Sequence, residues 1–69
     1  MKLSARNVLK GRVIEVKKGA TTAHVRIELP GGAVVTSSIT NEAVEELRLT
    51  TGDEAYAVIK ASDVMVARD

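Results

Sequence analysis

The sequence predicts a small all-β domain with one short helix. Three observations predict it. The apolar residues are almost all aliphatic, with Tyr56 the only aromatic and no Phe or Trp, which suits β-branched strands packed in a small barrel. Apolar and polar residues alternate with a period of two after Thr22. Turn residues divide the chain into short segments, with a single helical stretch between the third and fourth strands. Five strands with a helix in that position is the layout of an OB-like Greek-key barrel.

The first strand is expected over Val8 to Val16, where Val8, Leu9, Val13, Ile14 and Val16 are apolar. Gly11 sits inside it, and a glycine within a strand often marks a bulge or a close backbone approach. Lys17-Lys18-Gly19-Ala20 reads as a turn. Thr22 to Leu29 is the clearest strand: Ala23, Val25, Ile27 and Leu29 alternate with Thr22, His24, Arg26 and Glu28. Pro30-Gly31-Gly32 closes a hairpin. Ala33 to Ile39 is the return strand. Its polar centre, Thr36-Ser37-Ser38, implies that one face lines a polar cavity or an interface.

Thr40 or Asn41 is placed to cap a helix running to Leu47. Glu42, Glu45 and Glu46 complement its dipole near the start. Thr50-Thr51-Gly52-Asp53 is a turn. Ala55 to Ile59 forms the fourth strand, Lys60-Ala61-Ser62-Asp63 a loop, and Val64 to Ala67 the fifth strand. There is no linker, low-complexity run or internal repeat, so residues 1–69 are expected to form one domain.

At 69 residues, such a domain buries only about 60% of the surface its unfolded chain exposes, so its core is marginal. Disulfides, metals or self-association usually compensate. The chain has no cysteine and one histidine, His24, which leaves homo-oligomerisation. A net charge of +1 is no footprint for a polyanion. The near-absence of aromatics removes the stacking platform for single-stranded nucleic acid. No apolar run reaches membrane-spanning length. The opening Met1-Lys2-Leu3-Ser4-Ala5-Arg6 lacks the apolar core of a signal peptide, so a cytoplasmic protein without membrane or nucleic-acid partners is expected.

Catalysis is poorly supported, because a nucleophile needs a base within hydrogen-bond reach and His24 lies in mid-strand on the polar face. Pro30-Gly31-Gly32 lacks the lysine of a phosphate-binding loop. Glu42, Glu45 and Glu46 read as a solvated helix face rather than a cation site.

Anion binding is better supported. Ser4-Ala5-Arg6-Asn7-Val8-Leu9-Lys10-Gly11 carries a hydroxyl, a guanidinium, a carboxamide and an ammonium, and no carboxylate interrupts them. Taken alone it reads more readily as a solvated, basic strand entrance, since basic N-termini are common. Further donors lie at Thr40 and at Lys60 and Ser62. A tetrahedral dianion would be held by roughly six to eight such donors, with the two cations offsetting its charge.

These residues together resemble a known family. Ser4-Ala5-Arg6-Asn7, Leu9-Lys10-Gly11, Thr22-Ala23-His24-Val25, Pro30-Gly31-Gly32, Ser37-Ser38-Ile39-Thr40, Val44-Glu45-Glu46-Leu47 and Val58 through Met65 are similar to molbindin. That is the stand-alone Mop domain, also found in molybdate-responsive regulators and molybdate transporter ATPases. The resemblance covers essentially the whole chain. It implies a non-enzymatic, cytoplasmic OB-like domain that binds molybdate, and tungstate similarly, for intracellular molybdenum storage. It further implies hexamers, trimers of dimers, with oxyanions between subunits. The implied pocket comprises Ser4, Arg6, Asn7, Thr40, Lys60 and Ser62. Ala43 and Ala61 stand where some relatives carry serine and would contribute backbone N–H groups. A second oxyanion site is expected around Gly19, Ala20, Thr21 and Thr22. The rival readings are an OB-type nucleic-acid module and a structural homo-oligomer without a small ligand.

Overall fold

A computed structural model describes residues 1–69. Its elements in chain order are β1 (Asn7–Lys18), β2 (Thr22–Glu28), β3 (Val34–Thr40), α1 (Asn41–Glu46), β4 (Glu54–Ile59) and a 3-10 turn at Ala61–Asp63. The strands form one antiparallel sheet in the order β3-β2-β1-β4.

β1 serves two ladders. Residues 7–12 pair with β4, from Asn7↔Ile59 to Arg12↔Glu54. Residues 12–18 pair with β2, from Arg12↔Glu28 to Lys18↔Ala23. Arg12 therefore belongs to both. The handover depends on Gly11. A Cβ there would lie 2.5 Å from the Glu28 carbonyl oxygen and 2.7 Å from Ile27 Cγ2, so only glycine lets the end of β2 approach so closely. A register shift between Val13 and Glu15 adds the bend that a bulge imposes on a strand.

The bend wraps the sheet around six buried side chains: Val13, Ala23, Val25, Ile27, Val44 and Ala57. The β2 alternation read from the sequence holds, with Ala23, Val25 and Ile27 inside and Thr22, His24 and Arg26 outside. In β3 the polar centre splits by the same rule. Thr36 and Ser38 face solvent, and Ser37 faces inward, half-buried. Helix α1 contributes Val44 to the core. It ends at Glu46, one residue short of expectation, with Leu47 as its C-cap. Arg48 follows at φ 52, in the left-handed region, and its N–H donates to the Glu45 carbonyl at 3.0 Å.

The expected fifth strand does not form, so the sheet has four strands rather than five. The 3-10 turn carries the chain off the end of β4. Beyond it, Val64, Met65 and Val66 are 48%, 93% and 91% exposed. The single backbone hydrogen bond made by residues 64–67 runs from Val64 N–H back to the Ala61 carbonyl. A run of β-branched residues is a strand only where a sheet edge receives it, and within one chain this segment meets none.

Two outcomes test this account by urea unfolding. Gly11→Ala should cost about 1–3 kcal/mol through overpacking against Glu28. Arg48→Gly should stabilise by about 1 kcal/mol, because glycine adopts the left-handed conformation without a Cβ penalty.

Candidate oxyanion site

The donors expected from the sequence gather at the two ends of β1. At the first end, the β1–β4 ladder closes with the Asn7↔Ile59 pair. Asn7 reinforces it, donating from Nδ2 to the Ile59 carbonyl at 3.2 Å. Arg6 precedes that pair in the chain and Lys60 follows it, so both cations leave the sheet at the same end. The 3-10 turn is closed by Asp63 N–H to the Lys60 carbonyl at 2.9 Å and Val64 N–H to the Ala61 carbonyl at 3.3 Å. The Ala61 and Ser62 amides open that turn and have no partner in the chain. Ser4, Arg6, Lys60, Ala61 and Ser62 are all exposed.

The charges at this end are uncommitted. Lys10, Arg12, Lys18 and Arg26 each pair with a glutamate, at 3.3, 3.8, 3.2 and 3.9 Å respectively. Arg6 and Lys60 pair with none. Surface ion pairs contribute only about 0–1 kcal/mol each. Their significance here is which cations they leave available.

At the other end, β3 runs into α1. Thr40 caps the helix, its Oγ1 accepting from Ala43 N–H at 3.0 Å. The Ala43 amide, expected to face the ligand, is thus engaged with Thr40. The Thr40 hydroxyl keeps its own hydrogen to donate. Thr40 pairs with Thr22 across the β2–β3 ladder, which brings the helix start beside the β1–β2 turn. Asn41 fastens the two together: its N–H donates to the Thr21 carbonyl at 2.9 Å and its Nδ2 to the Gly19 carbonyl at 3.0 Å. Gly19 N–H donates to the Thr22 carbonyl at 2.7 Å. The Ala20 and Thr21 amides remain without partners and exposed. Lys17, Lys18, Gly19, Thr22 and His24 line an open pocket of about 290 Å³ here.

The sequence expectation of one pocket therefore resolves into two donor groups. Ser4, Arg6, Asn7, Lys60, Ala61 and Ser62 lie at the start of β1. Thr40, Ala43 and residues 19–22 lie at its end. The two groups therefore lie at opposite ends of the 12-residue strand β1. A larger open pocket of about 470 Å³ lies around Gly11, but its Lys10, Arg12, Glu28 and Glu54 neutralise one another as two ion pairs. It has no surplus positive charge for an anion.

Residues 3–66 match the model of the TOBE domain. This chain belongs to the TOBE domain family, as a Mop-type (molbindin) domain. A probable molybdenum-pterin-binding protein of Haemophilus influenzae is 52% identical over 66 residues, covering 96% of each chain. The solved structure of apo MopII from Clostridium pasteurianum superposes with a TM-score of 0.91 at 48% identity, covering 97% of this chain and 100% of that one. The cytoplasmic molybdate-binding protein ModG, solved with molybdate bound, superposes equally well, with a TM-score of 0.91 at 51% identity. The Mop-type chain covers 94% of its own length and 46% of ModG in that match.

Sequence reasoning named Ala20, Thr21 and Ser62, whose amides are free, but missed the strap formed by Asn41. It read Asn41 only as an alternative cap. Its position immediately after the last residue of β3 was the available signal, since one residue there reaches both the helix and the neighbouring turn. Thr40→Ala should cost about 0.5–2 kcal/mol in urea unfolding through loss of the cap, and Thr40→Asn should recover most of it.

Proposed function

We propose that this Mop-type domain binds molybdate, and tungstate in the same way, as a cytoplasmic store of the oxyanion, and that it performs no reaction. The observation that carries the reading is the first donor group. Arg6 and Lys60 stand unpaired at one end of the sheet beside two free backbone amides and the hydroxyls of Ser4 and Ser62. Charge-assisted hydrogen bonds from a guanidinium and an ammonium are the strong ones, and the neutral donors complete a shell around a tetrahedral dianion. The family likeness to proteins named for molybdenum and molybdate agrees with this chemistry.

The second half of the pocket comes from another subunit in this proposal. Thr40 and the Ala43 region sit at the opposite end of β1 from Arg6 in their own chain, so a partner's copy supplies them. A dimer that buries Val8, Tyr56, Val58 and the Val64 to Val66 segment would serve, since these are exposed in the single chain. Three such dimers joined into a hexamer would bring the residue 19–22 turns together as the second oxyanion site. The free Ala20 and Thr21 amides support that assignment.

Selectivity follows from a lining in which donors outnumber acceptors. Protonated phosphate carries a hydroxyl that needs an acceptor, which only the serine and threonine oxygens supply, so it is disfavoured. Sulfate differs from molybdate only in size, which requires donors fixed before the anion arrives. A subunit interface provides that preorganisation.

Arg6→Ala or Lys60→Ala should weaken molybdate binding by about 1.5–3 kcal/mol, since each removes a charged hydrogen bond. Calorimetric titration of both variants against molybdate measures this directly. Parent-like affinity in both would show that the anion sits elsewhere. Native mass spectrometry with and without molybdate should show an assembly of six chains retaining bound anions, and a monomer that retains them would defeat the shared pocket.

A further inference from the structure

The function proposed above leaves His24 without a role. His24 is the only histidine and is exposed on the outer face of β2. The registers set it in a row across three strands, with Lys17 of β1 on one side and Ser38 of β3 on the other. All three side chains are exposed on that face. The row borders the open pocket lined by Lys17, Lys18, Gly19, Thr22 and His24, on either side in sequence of Ala20 and Thr21, whose amides are free.

The charges around the row are largely committed. Lys18 of β1 pairs with Glu45 of α1 at 3.2 Å. In the next row, Arg26 of β2 pairs with Glu15 of β1 at 3.9 Å, facing Thr36 of β3. Lys17 has no carboxylate partner. No acidic side chain lines this pocket. A proton added to His24 therefore puts a second uncompensated positive charge beside that of Lys17.

We infer that His24 and Lys17 belong to the anion site at the β1–β2 turn, and that proton uptake by His24 strengthens anion binding there. The inference rests on the reading that this turn takes an oxyanion. The sign follows from linkage. The anion favours the imidazolium, so its presence raises the pH at which His24 gains its proton, and its affinity rises as pH falls through the imidazole range. The site built on Arg6 and Lys60 has no such dependence, because guanidinium and ammonium groups keep their charge across that window. Molybdate itself remains a dianion there.

A single histidine gives a single pair of imidazole proton signals, so nuclear magnetic resonance reads the coupling directly. The His24 signals are followed from about pH 8 to about pH 5.5, with and without saturating molybdate, in the parent chain and in Arg6→Ala, which weakens the other site. The midpoint should rise by about half a unit with molybdate in both, equivalent to about threefold tighter binding to the protonated form. Lys17→Ala should reduce the shift. Calorimetry should show the class of sites that survives Arg6→Ala gaining about threefold in affinity between about pH 8 and about pH 6, and His24→Gln should abolish that gain. Two classes of sites with an unmoved His24 midpoint would overturn the inference and leave the proposed function standing. A single class of sites, eliminated by Arg6→Ala, would overturn both the turn site and the inference.

Discussion

The constraint on which the rest of this structure depends is the close passage of β2 over Gly11. One strand can join two ladders only if it bends where it changes partners, and here the change occurs at Arg12. The missing Cβ lets the Glu28 carbonyl reach the backbone of β1. From that contact follow the curl of the sheet, the enclosure of Val13 against Val25 and Ala57, and the docking of Val44 from α1. A flat four-stranded sheet with these residues would have no interior.

The same bend fixes where the chemistry goes. Because the first half of β1 pairs with the end of β4, Arg6 and Lys60 leave the sheet side by side. Because its second half pairs with the start of β2, the β1–β2 turn meets the start of α1. The cross-strand ion pairs between these ends occupy the cations of the middle of the sheet. Arg6, Lys60 and Lys17 keep positive charge without a carboxylate partner near the ends of β1, where backbone donors are also free.

The period of two in β2, the hairpin at Pro30-Gly31-Gly32 and the Thr40 cap were legible in the sequence because each is a local rule acting on adjacent residues. The Ser4-Ala5-Arg6-Asn7 opening was legible as a run of donors for the same reason. Which donors fall at which end of β1 was not, since that depends on which residues pair across strands. The engagement of the Ala43 amide was hidden too, because a cap uses the donor that a ligand would otherwise take. The fifth strand failed on a different ground. Val64 to Ala67 has strand composition, but pairing requires an edge, and composition does not say where an edge lies.

One consequence concerns β4. Its outer side is an open hydrogen-bonding edge, and Tyr56 and Val58 are exposed along it. Such an edge templates uncontrolled strand addition and aggregation unless charges flank it. Glu54 and Lys60 stand at its two ends, where charged side chains disfavour such strand addition, so Lys60 bears on how cleanly the edge stays open as well as on the charge at that end of the sheet.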